Sequence, residues 1–146
     1  MDEIIKLLDA SLDYVSHEIK DDIMFIMVES NRKELPCPYC GVPSSKVHSR
    51  YLRKFQDMPI QGKKVVIILD NRKMFCINPE CTNKTFAENF SFLPKKAKRT
   101  KRLENEILEI SLHCSSIAAS KLLANGIADI GKTAICRLLK KQHFGN

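Results

Sequence analysis

The alternation of apolar and polar residues near the N-terminus predicts a short helix and then a β-hairpin. Apolar residues over positions 4–12 recur on one side of a helical repeat, and acidic residues precede them where a helix N-terminus favours negative charge. Residues 14–19 and 23–29 are rich in strand-forming side chains, and the turn-prone residues 20–22 separate them. A helix is the alternative for the second run, but its β-branched residues and the acidic turn before it favour a strand.

Between residues 35 and 86 the pattern remains typical of β-structure. Residues 46–55 form a polar, basic run that suits a strand, and residues 65–69 form a strongly apolar one. Gln61-Gly62 lies between these runs and marks a turn. We therefore expect an extended hairpin in this part of the chain.

After residue 102 the periodicity becomes helical. Apolar residues recur at helical spacing over residues 103–114. A second, short helix is expected from a serine cap at position 115 or 116 to a stop at Gly126. A third helix follows, with Asp129 as its N-cap.

Three consecutive helices of this size are typical of a helix-turn-helix, whose last helix lies in the major groove of DNA. The outward side chains of that helix that would meet DNA are Lys132, Thr133, Arg137 and Lys140. The connection over residues 124–129 is longer than the usual turn of about three or four residues. A plain three-helix packing module therefore stays open as the alternative.

The composition, 44% apolar and 28% charged, is that of a globular protein rather than a disordered tail. No run approaches about 18 consecutive apolar residues, so no membrane span is expected. The acidic start also lacks the basic flank and the long apolar centre of a signal peptide. We therefore expect a cytoplasmic protein.

Charge is distributed unevenly along the 146 residues, whose formal net charge is +7. Residues 1–30 carry eight acidic and two basic side chains, whereas residues 31–102 carry seventeen basic and five acidic ones. Six of the basic residues fall within positions 95–102. A basic central segment of this size suits binding to a polyanion such as DNA, because each phosphate that is neutralised releases condensed counterions and so adds to the affinity. A basic surface with no such partner is the alternative interpretation.

Four of the six cysteines form two pairs, C-P-Y-C-G at Cys37 and Cys40, and C-I-N-P-E-C at Cys76 and Cys81. Each pair lies at a turn that contains proline or glycine, beside a strand-like run, which is typical of a zinc ribbon. Four thiolates from two such turns can surround one tetrahedral zinc ion at about 2.3 Å. We therefore predict one structural Zn²⁺.

A redox pair and a disulfide framework are the alternatives for these cysteines. A redox CxxC opens a helix, whereas the glycine, valine and proline after Cys40 are poor helix starts, and a cytosolic location disfavours disulfides. His48 could replace one cysteine as a ligand, but a polar strand residue is the simpler interpretation. Cys114 and Cys136 have no partner at chelating distance and are interpreted as small buried hydrophobes.

One ordered set of motifs runs through nearly the whole chain: C-P-x-C-G, SKVHSRYLRKFQDMPIQGKKVVIIL, NRKMFCINPECTNKTFAE, RTKRL, AASKLLA and TAICRLLKK. This order, over about residues 14–142, resembles the N-terminal region of the ISL-three family of insertion-sequence transposases. The resemblance implies a zinc-binding domain followed by a helix-turn-helix. Together these parts would recognise the terminal inverted repeats of a mobile element.

In that family a catalytic domain with an RNase H-like fold follows, and its DDE triad binds two divalent metal ions. Strand transfer by two metals needs several carboxylates in one pocket. The acidic residues of this sequence after Glu88 are Glu104, Glu106, Glu109 and Asp129. The first three fall on one predicted helix and do not form such a pocket. We therefore expect the chain to be the DNA-recognition half of a transposase and not to be catalytic on its own. It would be either a fragment or a truncated product.

The combined prediction is an α+β protein in which a zinc-ribbon-like antiparallel β domain precedes a three-helix helix-turn-helix. Its expected parts are a helix, hairpin and ribbon over residues 1–93, a basic linker over 94–102 and a helical domain over 103–146. The further basic residues expected to contact DNA are Arg50, Arg53, Lys54, Lys63, Lys64, Lys95, Lys96, Lys98, Arg99, Lys101 and Arg102.

The expected partner is double-stranded DNA in the bacterial cytoplasm. The chain could also form a homodimer. We expect neither a membrane nor a small-molecule substrate to be involved. Two alternatives stay open. One is a stand-alone zinc-ribbon and helix-turn-helix transcription regulator, and the other is a protein-interaction module for transposase assembly.

Overall fold

A computed structural model of the chain describes residues 1–112, 116–124, 127–128 and 130–144. Within these ranges the fold is α+β, with four helices and seven strands. The helices are α1 Asp2–Leu8, α2 Lys101–Ser111, α3 Ser116–Ala124 and α4 Lys132–Phe144. The strands are β1 Leu12–Lys20, β2 Ile23–Ser30, β3 Leu35–Pro36, β4 Pro43–Ser44, β5 Val47–Ile60, β6 Lys63–Phe75 and β7 Thr85–Ala87.

Two tight hairpins build most of the main sheet. Asp21 and Asp22 join β1 to β2 with φ of 52° and 61°, and Gln61 and Gly62 join β5 to β6 with φ of 54° and 72°. Two consecutive positive φ values are the geometry of a type I′ turn, whose twist matches that of antiparallel strands. Both predicted turns are therefore confirmed. The strands of the second hairpin are longer than predicted, because β5 continues to the turn and β6 runs from the turn as far as Phe75.

The strands of the main sheet have the order β1-β2-β6-β5, and β7 pairs antiparallel with the end of β6. Inward side chains alternate along β6, where Val65, Ile67 and Leu69 are buried. On β2, Met24 and Ile26 are buried in the same alternating way. The second sheet is small and pairs β3 with β4.

The chain divides into two compact units, each assembled from three segments. Unit 1 contains Met1–His17, Ile26–Lys54 and Ile67–Ser91. Unit 2 contains Glu18–Phe25, Phe55–Val66 and Phe92–Asn146. Thus the end of the β5–β6 hairpin belongs to the same unit as the C-terminal helices. The predicted division into residues 1–93, 94–102 and 103–146 stays a prediction.

The C-terminal helices of unit 2 pack pairwise around one apolar cluster. Its buried residues are Leu103, Ile107, Ala119, Leu123, Ala128, Ile130, Ile135 and Leu138. Helix α2 begins after Thr100, whose side chain accepts a hydrogen bond from the Leu103 backbone N–H at 3.3 Å. The predicted stop at Gly126 and the predicted cap at Asp129 lie outside the described residues. None of the described helices is long and apolar enough to cross a membrane.

Candidate metal centre

Four cysteine side chains converge in unit 1. The sulfur atoms of Cys37, Cys40, Cys76 and Cys81 all lie within 4.8 Å of one another. The Sγ atoms of Cys37 and Cys81 are 4.0 Å apart, and those of Cys40 and Cys76 are 3.6 Å apart. A tetrahedral zinc ion with Zn–S bonds of about 2.3 Å requires sulfur–sulfur distances of about 3.8 Å. The two separations of 4.0 and 3.6 Å bracket this value, so the cysteine cluster suits a tetrahedral zinc ion.

The first pair of cysteines lies in a short hairpin between β3 and β4. Leu35 and Ser44 are partners in this hairpin. The Cys37 backbone N–H donates to the Val42 carbonyl at 3.1 Å, and the Gly41 N–H donates to the Cys37 carbonyl at 2.7 Å. Gly41 has φ of +79°, a conformation that glycine adopts without steric cost. This turn directs both thiols to the same point.

The second pair lies in the connection between β6 and β7. The Cys76 backbone N–H donates to the Lys84 carbonyl at 2.8 Å, and the Cys81 N–H donates to the Asn78 carbonyl at 3.1 Å. The Asn78 side chain also accepts from the Glu80 backbone N–H at 3.0 Å. This Asx turn takes up the two additional residues of the C-x₄-C spacing.

Hydrogen bonds and apolar packing hold the two cysteine turns together. The Phe75 backbone N–H donates to the Lys46 carbonyl at 2.8 Å, and the Ser44 hydroxyl donates to the Phe75 carbonyl at 2.5 Å. The four thiols lie against a small buried cluster. Besides Cys37, its members are Leu35, Met74 and Phe86. The ribbon is therefore organised around the metal site and has little core of its own.

Neighbouring groups give the cysteine thiols divergent pKa values. A hydrogen bond with the Val42 backbone lowers the pKa of the Cys40 thiol to about 6. A hydrogen bond with the Asn78 backbone also lowers the pKa of Cys76, but burial and the neighbouring thiols outweigh it and raise that pKa to about 12. Zinc binding requires thiolates and therefore releases protons from this cluster.

Other possible ligands do not join the cluster. His48 lies on β5, where its ring packs edge-on against Phe75 at 4.8 Å between centroids, and its Nδ1 is 2.8 Å from the Ser49 hydroxyl. Cys136 is half-buried on α4, and Cys114 lies outside the described residues. Among the residues that the structure describes, the four cysteines are the one group able to share a metal ion.

The donor set and its spacing identify the metal. Four thiolates in two turns at tetrahedral distances form a closed structural site, so Cys37, Cys40, Cys76 and Cys81 hold one structural Zn²⁺. Residues 33–81 match the zinc-finger of transposase IS204/IS1001/IS1096/IS1165. The match ends at the fourth ligand. No curated protein and no solved structure matches the chain.

The zinc ribbon is fixed to the rest of unit 1 by a buried ionic cluster that the sequence did not indicate. The fully buried Glu88 carboxylate accepts hydrogen bonds from Nε and Nη2 of Arg72, at 3.0 Å each, and from Nε of Arg32, at 3.1 Å. The Ser30 hydroxyl donates to the same carboxylate at 2.5 Å. These groups come from the end of β2, from β6 and from the segment after β7. One carboxylate therefore holds three parts of the chain.

The basic residues predicted to contact DNA on the β5–β6 hairpin have different surroundings. In unit 1, Arg50 pairs with Asp70 at 3.0 Å, Arg53 is half-buried and Lys54 is exposed. In unit 2, Lys63 pairs with Asp22 at 3.2 Å, and Lys64 is half-buried. No observation tests whether these residues bind DNA, so that prediction stands.

The basic segment before α2 is hydrogen-bonded to β5. The Gln56 backbone N–H donates to the Lys98 carbonyl at 2.8 Å, and the Gln56 carbonyl accepts from the Thr100 N–H at 3.0 Å, which makes a parallel bridge between Gln56 and Arg99. Lys95, Lys96, Lys98 and Lys101 are exposed, and Arg99 is half-buried. The segment predicted as a linker is therefore ordered along a strand.

Asp57 is the anchor of this segment. Its buried carboxylate accepts from the Thr100 hydroxyl at 2.8 Å and from Nε of Arg102 at 2.7 Å, and it also pairs with Nη2 of Arg102. Arg102, predicted to contact DNA, is thus engaged within the protein. Sequence reasoning missed Asp57, although it is the one acidic residue between Glu34 and Asp70. An isolated acid within a basic region was the available signal.

The predicted reading helix has the expected two faces. Ile135 and Leu138 of α4 are buried in the helical cluster. The predicted DNA-contacting residues Lys132, Thr133, Arg137 and Lys140 are all exposed. Three of them follow the spacing i, i+4 and i+7, which places them along one side of the helix.

Proposed function

We propose that this chain is the DNA-binding part of a DDE-type transposase and recognises the terminal inverted repeats of a mobile element. The observation that carries the proposal is the match of residues 33–81 to a transposase zinc finger. This ribbon is followed by a basic segment and three packed helices, a combination suited to binding a polyanion.

Helix α4 is proposed to read base edges as the last helix of a helix-turn-helix. Its outward residues Thr133, Arg137 and Lys140 lie on one side, opposite the buried Ile135 and Leu138. Arginine can bond the two major-groove acceptors of guanine in a bidentate manner, so Arg137 is the strongest candidate for sequence discrimination.

The basic segment is proposed to contact phosphates rather than bases. Lys98 and Lys101 are exposed, while the backbone between them is held by Gln56 and Asp57. Ammonium groups carried on a fixed backbone set the register of the protein on the duplex but carry no sequence information.

The proposal includes no catalysis by this chain alone. Of the four acidic residues after Glu88, Glu104, Glu106 and Glu109 all lie on α2, and Asp129 lies outside the described residues. Two-metal strand transfer needs carboxylates that converge on one pocket. The chain would therefore supply recognition to a catalytic domain.

The test is selection of bound duplexes from a random-sequence library with the zinc-loaded full chain, followed by anisotropy titrations of the selected duplex. We expect an enriched motif, and an affinity that falls steeply as salt rises, because each displaced phosphate counterion contributes about −0.9 to the logarithmic slope. Arg137→Ala should weaken binding to the selected duplex by about tenfold or more and should spare binding to a scrambled duplex.

The matched control removes one positive charge elsewhere. Lys20→Ala, at the exposed end of β1, should leave both affinities nearly unchanged. A library without enrichment, or binding that is insensitive to salt, would contradict the proposal. Equal losses on both duplexes in Arg137→Ala would instead make Arg137 a phosphate contact.

A further inference from the structure

An apolar surface of unit 1 lies open on its sheet. Four strands contribute apolar side chains to a shallow cavity of about 300 Å³, among them Val15 from β1, Met27 from β2, Ile68 from β6 and Leu52 from β5. Val15 is 51% exposed, Met27 40% and Leu52 62%. Together with the half-buried Ile68, these three exposed side chains form an apolar patch of the kind that marks an interaction surface.

The apolar patch is bordered by opposite charges on its two sides. On the β2 side, Glu29 lies two residues beyond Met27 and lines the same cavity. On the β5 side, Arg50 lies two residues from Leu52, and its side chain is 52% exposed although it pairs with Asp70. Since β6 separates β2 from β5 in the sheet, the acidic and the basic border are on opposite sides.

The two charged borders also lie at a similar level along the strands. Ser30 of β2 contacts Arg72 of β6 at 3.1 Å, and Met27 lines the same cavity as Ile68, so β2 and β6 advance in the same direction. Glu29 is therefore close to the level of Asp70, the residue to which Arg50 is bonded.

We propose that this patch is the interface between two copies of the chain related by a twofold axis. A twofold axis that lies between the two faces and runs along the strands above β6 brings β2 of one protomer opposite β5 of its partner. Glu29 of each protomer then meets Arg50 of the other, and Met27, Ile68 and Leu52 of the two protomers cover one another, whereas Val15 on the edge strand β1 lies outside the overlap. Such an interface is isologous and self-complementary. DNA suits the patch less well, because the carboxylates of Glu29 and Asp70 repel phosphates.

This proposal does not rest on DNA binding, so its test is made without DNA. Sedimentation equilibrium of the zinc-loaded full chain should show a dimer. Leu52→Glu should give a monomer, whereas Leu7→Glu, at an 81% exposed position on α1, should stay dimeric. Zinc content and circular dichroism of each variant establish that the fold is intact. A monomeric parent chain at its highest soluble concentration, or a dimeric Leu52→Glu variant, would overturn the proposal.

A charge exchange tests the pairing itself. Glu29→Arg alone and Arg50→Glu alone should each raise the dissociation constant of the homodimer by about tenfold or more, because each variant opposes like charges. An equal mixture of the two variants should form a heterodimer, since the substituted positions of the two variants then carry opposite charges and face each other, and the unchanged Arg50 of one variant meets the unchanged Glu29 of the other. Failure of the mixture to associate, when both variants are folded and hold zinc, would refute the proposed arrangement.

Discussion

Removal of zinc by a chelator should unfold the ribbon and leave the C-terminal helices folded. The apolar side chains buried in the ribbon are Leu35, Met74 and Phe86, and full burial of such side chains contributes about 1.5–3 kcal/mol each. Burial therefore supplies about 5–9 kcal/mol. Ordering the backbone of residues 35–44 and 76–87 costs about 1–2 kcal/mol per residue and exceeds that gain.

Zinc binding offsets a large part of this cost. Structural zinc bound by cysteines contributes about 10–16 kcal/mol at neutral pH, and a preformed site is absent from the unfolded chain. Binding free energy at this site is therefore folding free energy for the ribbon. By contrast, the helical cluster of unit 2 contains no zinc ligand and buries its own set of apolar residues from all three helices.

Amide hydrogen exchange with and without chelator measures this difference residue by residue. The N–H groups of Cys37, Gly41, Cys76 and Cys81, which are hydrogen-bonded in the ribbon, should lose protection, whereas those of α2 should keep it. Cys76→Ser should reproduce the chelator effect. Cys136→Ser, outside the cluster, is the matched control and should not. Ribbon amides that stay protected without metal would refute the reasoning.

Three further changes test the supporting contacts. Glu88→Ala should lower the free energy of unfolding, measured by urea denaturation, by about 3–5 kcal/mol, because Arg72 is left as a buried, unpaired charge. The control Glu80→Ala, at an exposed position, should change the free energy of unfolding little. Asp57→Asn should lower it by about 1.5–3 kcal/mol in thermal unfolding, since the charge-assisted bonds to Arg102 weaken; an unchanged melting temperature would contradict this. A hydrogen bond from the Lys6 side chain lowers the pKa of Asp13 in the folded protein. The stability that this bond contributes is therefore fully present above the unfolded-state pKa of Asp13 and is lost as the pH falls through its folded-state pKa. In Lys6→Met, the free energy of unfolding should fall less steeply as the pH is lowered.

The metal site could be predicted from sequence because its physical requirements are local. Each cysteine pair needs only a short turn that directs two thiols to one point, and proline and glycine at fixed offsets mark such turns. The hairpin turns were predictable for the same reason, since Gln61-Gly62 and the acidic pair at Asp21 and Asp22 have a backbone preference of their own.

The contacts that organise the ribbon and the basic segment could not be predicted, because they join residues far apart in sequence. Glu88 and Ser30 are 58 residues apart, and Asp57 and Arg102 are 45 apart. A charged residue at such a position has the same local pattern as any solvated one. Only the fold decides whether its partner is water or a buried counter-charge.

The anchoring of the basic segment has a consequence for the proposed binding of DNA. A flexible basic linker would lose conformational freedom on binding, at about 1–2 kcal/mol for each ordered backbone residue. Here the backbone bonds at Gln56 already fix Lys98 and Thr100, and Thr100 both bonds Asp57 and caps α2. The entropy of the segment is therefore lost on folding instead. Because preorganised groups bind with a smaller ordering cost, weakening the anchor should reduce phosphate affinity even though Asp57 itself is buried and cannot touch DNA.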